Sequence, residues 1–266
     1  MEDNLIRLGL IDEADIVLDE AALTLASLDH PDIDLAPYRD LIEAVAIRLE
    51  ATGSAATARA RAEALSSVLG DTFGFAGDQA TYDDPANADL IRVIDRRRGL
   101  PVSLSILYVA AARRLGWEAN VLDVPGHVLV LIGEDAAPVI VDPFRGGDIV
   151  DRDRLAAMLA PRVAGAAAAV QHIAAMPNRA ILVRLLLNQA TRAEQAGKGR
   201  RALELYTRMT ALAPGFGAAW WERARLELVD DDVASARDSL TAMLEMTREP
   251  ALRRRVSDLL GSLVTP

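Results

Sequence analysis

Apolar residues recur at helical spacing through the first third of the chain. Between Ile11 and Leu28, the positions Ala14, Val17, Leu18, Ala21, Ala22 and Leu25 fall on one face, which predicts an amphipathic helix. The stretch "HPDID" breaks it. A second helix is expected from about Leu35 to Thr52, ended by Gly53, and a third from about Ala55 to Leu69, ended by Gly70. Each glycine stands where a helix C-terminus favours one. "DTFGFAGDQATYDDPANA" reads as a loop rich in Gly, Asp and Pro. A short helix follows from Ala88 to Arg98, and Gly99 and Pro101 mark the entrance to the next, Val102 to Leu115. There Leu104, Leu107, Tyr108 and Ala111 share a face before Gly116 closes the helix.

The period then changes. "EANVLDV" (Glu118 to Val124), "HVLVLI" (His127 to Ile132) and "PVIVD" (Pro138 to Asp142) read as strands. They can pair as an antiparallel sheet against the preceding helix, and helices first with strands after favours a helix-rich α+β unit. The remainder returns to helical spacing. Aligned on itself at an offset of about 34 residues, the chain sets Ala190 against Ala224, Ala202 against Ala236, Tyr206 against Leu240 and Leu187 against Trp221, with "ALAPGF" closing a helix. This spacing resembles the tetratricopeptide repeat, with about two units between Ala180 and Leu263. An ordinary helical bundle in an alanine-rich chain is the other reading. So short an array should lean on what precedes it. The expected domains are 1–174, the mixed unit with its N-terminal helices, and 175–266, the all-α repeats.

Composition sharpens this picture. Of 266 residues 51% are hydrophobic but only 4% aromatic, so the core must come largely from helices packed on small side chains. A formal charge of -10 and a pI near 4.9 argue against sequence-independent binding to a phosphate backbone, which requires a concentrated positive surface, so nucleic acid is not an expected partner. The arginine runs Arg96 to Arg98 and Arg253 to Arg255 are too short to change that and fit solvated helix faces. The acidic first residues do not form a targeting signal, and no segment reaches the ~20 apolar residues of a membrane span. A soluble cytoplasmic protein is expected.

The chain contains no cysteine: no disulfide, thiolate metal cluster or thiol nucleophile is possible. Yet "RRRGLPVSLSILYVAAARRLGWEANVLDVPGHVLVL" and "VIVDPFRGG" carry the frame that such a nucleophile uses. A helix N-terminus offers unpaired N–H groups and partial positive charge. His127 begins a strand and could serve as a base, and Asp142, fifteen residues on, could fix its tautomer from a neighbouring strand.

This arrangement resembles the transglutaminase-like superfamily, whose pattern is a glycine, any residue and the nucleophilic cysteine at a helix start, then "LG", a strand with histidine, and a strand ending in "DP". "DDPANADLIRVIDRRRGLPVSLSILYVAAARRLG", "PGHVLV" and "VDPFRGG" resemble more closely the SirB-like family, in which a transglutaminase-like (papain-like) domain precedes tetratricopeptide-like helices. The likeness covers most of the chain and is densest from Asp83 to Gly147. Matching Gly99 to the superfamily's glycine puts Pro101 where the cysteine would stand, and proline offers no nucleophile. Ser103 has a hydroxyl near the same helix end, but its high pKa makes a poor substitute for a thiol, and Ser103 or Ser105 reads better as a helix cap or small packing residue. The SirB-like family generally lacks this cysteine too, so the resemblance implies no activity.

The remaining motifs add no chemistry. His30 reads as a loop residue and His172 as a helix-face residue, neither at metal-ligand spacing with His127. The aspartate clusters lack the calcium-loop pattern and no glycine loop cradles phosphate, so neither metal nor cofactor is expected. Arg96, Arg97 and Arg98 could line a pocket entrance, although a solvated helix end suits them better. Two functions follow. In the first, His127 and Asp142 preserve the shape of a binding site in a catalytically silent protein, which works through a protein or peptide partner met largely by the helical repeats. In the second, a hydrolase uses Ser103, or a water activated by His127 and oriented by Asp142, on amide or peptide bonds.

Overall fold

The first apolar periodicity, Ile11 to Leu28, resolves into a single turn at Glu13–Asp15 and α2 (Leu18–Ser27) rather than one helix, and a further helix, α1 (Glu2–Leu10), precedes it. Asp12, Glu13 and Asp15 crowd the interruption, and short acidic side chains compete there for the backbone groups a helix needs. The computed structural model describes residues 2–53, 55–133, 137–160 and 174–263. Two compact units emerge: Glu13–Leu182, and Met1–Asp12 together with Val183–Pro266.

In the larger unit α3 (Ala36–Glu50) and α4 (Ala58–Leu65) follow the expected second and third helices. The third does not stop at Gly70: it continues as a π-helical turn, Ser66–Thr72, and the chain reverses at Gly74. The expected loop holds the two-residue strand β1 (Ala76–Gly77), which pairs in parallel with β2 (Arg98–Gly99) after α5 (Leu90–Arg96). Asp89 caps α5, accepting the Arg92 N–H at 3.2 Å, and its other oxygen lies 2.6 Å from His30 Nε2. His30 is thus a loop residue tied to a helix start. α6 (Pro101–Arg114) is buried from Pro101 through Ala112. Proline at its first turn costs nothing, because the N–H it lacks would have no helical partner.

The sheet follows: β3 (Ala119–Val124), β4 (His127–Ile132), β5 (Val139–Asp142), β6 (Asp148–Val150) and β7 (Ala174–Ala175), in the order β6-β5-β4-β3-β7 and antiparallel throughout. Three of these strands match the alternating segments of the sequence, while β6 and β7 extend both edges. α6 packs against β3 and β4. Leu122, Leu129 and Val150 form a separate cluster with Leu155, Met158 and Leu159 of α7 (Arg152–Leu159).

The second unit holds α1 and most of α8 (Asn178–Gln195), followed by α9 (Gly199–Leu212), α10 (Gly217–Val229), α11 (Val233–Met246) and α12 (Pro250–Ser262). From α9 onward each helix packs on the next, and α1 packs on α9. Ala190, Ala202, Ala224 and Ala236, the small residues aligned by the 34-residue offset, are all buried. The helix-rich α+β class is the observed one. No helix among the described residues is long and apolar enough to cross a membrane.

Candidate functional site

The β4–β5 register explains why a histidine and an aspartate fifteen residues apart meet. Val130 stands opposite Val141, so the same antiparallel register sets Asp142 opposite Leu129. His127 lies two residues along the same face, a diagonal neighbour within side-chain reach. His127 Nε2 and Asp142 Oδ1 are 3.0 Å apart. Asp142 also accepts the Phe144 N–H at 3.1 Å, capping the turn Pro143–Arg145. Its carboxylate is fully buried, with Arg154 Nη2 at 3.7 Å and Arg145 Nε at 3.9 Å from Oδ2. Two guanidinium groups thus share the cost of keeping that charge out of water.

The pair lies on a cleft of about 860 Å³. Phe144 meets the His127 ring edge-on with centroids 6.4 Å apart, and Tyr82 meets Phe144 likewise at 5.7 Å. Gly77, Gln79, Arg145 and Met158 complete the parts of the lining that matter chemically. Gly77 pairs with Gly99, two residues before Pro101, so the start of α6 runs alongside. Pro101 itself is buried and is not among the lining residues.

Ser103 is buried, and its hydroxyl donates to the Asn87 carbonyl at 2.7 Å. It does not line the cleft. Ser105 is buried, and among the described residues its hydroxyl has no partner. The structure therefore joins His127 with Asp142 and leaves Ser103 outside. Tyr108, on α6, is buried with its hydroxyl unpaired among the described residues, and its pKa is raised by burial first and by the Asp142, Asp71 and Asp148 charges after it.

Arg96 and Arg97 correct the sequence reading, for they are partly buried and engaged rather than a solvated helix end, while Arg98 is exposed. Arg96 Nη2 binds Asp78 at 2.9 Å and Nη1 donates to Asn87 Oδ1 at 3.2 Å. Arg97, in left-handed backbone, lies 4.8 Å over the Phe75 ring. Arg98 donates to the Gly74 carbonyl at 2.9 Å. Buried Asp78 also accepts the Thr81 hydroxyl at 2.6 Å and the Thr81 N–H at 2.8 Å. These bonds, the hydroxyl's foremost, hold its carboxyl well below the ordinary 3.8, at about 2. The network fixes the loop that carries Gln79 and Tyr82 into the cleft. His172 lies outside the described residues. Among those residues no group of three or more His, Asp or Glu could hold a metal ion.

Fold and site together define a transglutaminase-like protein, and the comparisons agree: a profile described as the transglutaminase-like superfamily matches residues 36–187. The chain belongs to that superfamily. It is 29% identical over 244 residues to a UPF0162 protein of Xylella fastidiosa strain 9a5c, covering 90% of this chain and 87% of the relative. A UPF0162 protein of strain Temecula1 is 30% identical over 213 residues, 78% of this chain and 76% of that one. Human F-box only protein 21 is 33% identical over 82 residues, 31% of this chain and 13% of the F-box protein.

Proposed function

We propose that this protein is a catalytically silent transglutaminase-like protein that binds a peptide or protein segment in the cleft over His127 and Asp142. The observation that carries the reading is the lining itself: a histidine–carboxylate pair is in place, while no described lining residue is a Ser, Thr, Lys or Cys. A histidine–carboxylate pair without a side-chain nucleophile beside it holds a shape and a hydrogen-bonding pattern but forms no acyl-enzyme. Ser103 supplies none, since its hydroxyl is committed to Asn87 behind the lining.

The finer assignment is to the SirB-like arrangement, with tetratricopeptide-like helices after the cleft-bearing unit and a cytoplasmic site of action. Support comes from the succession of helices α8 to α12 and from the burial of the alanines that the 34-residue offset aligns. Stacked helix pairs present an extended surface suited to a protein partner.

The test is a panel of peptide, amide and ester substrates, with and without an acceptor amine, assayed with the full chain. No turnover above background is expected. Turnover that disappears in His127→Ala would overturn the reading and establish a hydrolase that activates water through His127 and Asp142.

A further inference from the structure

The groups left unused around the cleft indicate the chemistry of the peptide, an inference that rests on the binding reading above. Among the described residues Asp142 Oδ2 is buried without a hydrogen bond, although the residue lines the cleft. A carboxylate cannot donate, so His127 Nε2 is the donor in the 3.0 Å contact, which in the neutral form of the ring leaves Nδ1 as an acceptor. Arg154 is already drawn to Asp142 at 3.7 Å and to Asp148 at 3.3 Å. Arg145 is placed differently. Its side chain is 63% exposed, it lines the cleft, and its ion-pair contact with Asp142, 3.9 Å, is too long for a hydrogen bond. Among the described residues no hydrogen bond engages its guanidinium.

An open guanidinium fork is matched by a carboxylate through two parallel N–H···O bonds. An imidazole acceptor is matched by an N–H. His127 and Arg145 both approach the carboxylate of Asp142, so a ligand the size of one amino-acid residue reaches both. Beside them Tyr82, Phe144 and Met158 offer apolar surface.

We infer that the cleft recognises a peptide through a carboxylate seated on Arg145, with a backbone N–H donated to His127 Nδ1 and an apolar side chain against Tyr82, Phe144 and Met158. The last residue of a chain carries all three groups; an internal acidic side chain supplies the same carboxylate chemistry.

The full chain is immobilised and offered N-acetyl hexapeptide pools in three forms: free C-terminal acids without Asp or Glu, the same pools as C-terminal amides, and amides with one internal Glu. Retention is read by mass spectrometry. The free acids should be retained roughly tenfold over the plain amides. Arg145→Gln should bring the acids down to the amide level, and Arg145→Lys should restore part of the difference, since it returns the charge but not the fork. Arg145→Lys should melt like the parent and Arg145→Gln only slightly below it, because the replaced side chain is mostly exposed, its contact with Asp142 is long, and Arg154 still faces the buried carboxylate. Retention of the Glu-containing amides in place of the acids, lost in Arg145→Gln, would support the carboxylate and assign it to a side chain. Equal retention of acids and plain amides, both lost in His127→Ala, would overturn the carboxylate while leaving peptide binding intact. Retention of none of the pools would overturn both.

Discussion

Asp78 shows at the scale of one residue what the sequence could and could not disclose. His127 and Asp142 were legible because strand alternation and a modest loop determine which residues become cross-strand neighbours. Arg96 was not: its partner lies eighteen residues upstream in a loop without periodicity, and an arginine at a helix end carries the same letters whether solvated or paired. The network has a measurable signature. Asp78 titrates at about 2 in the folded protein against an ordinary 3.8, so the folded state favours its charged form. The resulting stability is complete above the unfolded value and is lost as pH falls through the folded one, between roughly pH 4 and pH 2. Asp78→Asn keeps the shape and removes the charge. It should cost ~2 kcal/mol at neutral pH by breaking charged hydrogen bonds and should flatten that part of the acid limb. Urea midpoints at a series of pH values measure both, and parallel acid limbs in parent and variant would remove Asp78 as the titrating group.

At the scale of elements, long periodic segments were legible and short ones were not. α3, α6 and strands β3 to β5 lie within about two residues of the sequence reading, because each is held by its own apolar face. β1, β2, β6 and β7 have two or three residues apiece, too few to show a period, and exist only because a partner strand is already in place. The β5–β6 connection depends on such distant partners. Gly147 has φ +86°, and a Cβ there would stand 2.6 Å from the Tyr108 hydroxyl oxygen and 2.8 Å from Ser66 Cβ. Ser66 is held in turn, its hydroxyl donating to the Gly146 carbonyl at 2.6 Å. Gly147→Ala thus combines left-handed strain of ~1 kcal/mol or more with overpacking of ~1–3 kcal/mol. A loss of ~3 kcal/mol in chemical unfolding is expected; a loss below ~1 kcal/mol would mean that the turn shifts freely and does not brace the strand carrying Asp142.

For the whole molecule, sequence order and spatial grouping diverge at the N-terminus. Reading along the chain assigns the first residues to the unit that follows them, since nothing in an amphipathic helix says which apolar surface it will cover. In the structure Met1–Asp12 groups with Val183–Pro266, and α1 buries Leu5 and Leu8. Gly9 permits the approach, because a Cβ there would lie 2.3 Å from the Ala211 carbonyl oxygen at the end of α9. Burial of two leucines is worth ~1.5–3 kcal/mol each, a large part of what holds a unit of this size together. Removing residues 1–12 should therefore loosen the C-terminal helices selectively. By hydrogen exchange, amides of α9 should lose protection by orders of magnitude while those of α6 keep theirs, since local opening free energies follow the contacts removed. Gly9→Leu, which leaves the chain length intact and forces α1 away from α9, should reproduce the pattern. Equal loss of protection in α6 and α9 would show that the chain unfolds as one cooperative body, and unchanged exchange in α9 would show that α1 contributes nothing to the helices it covers.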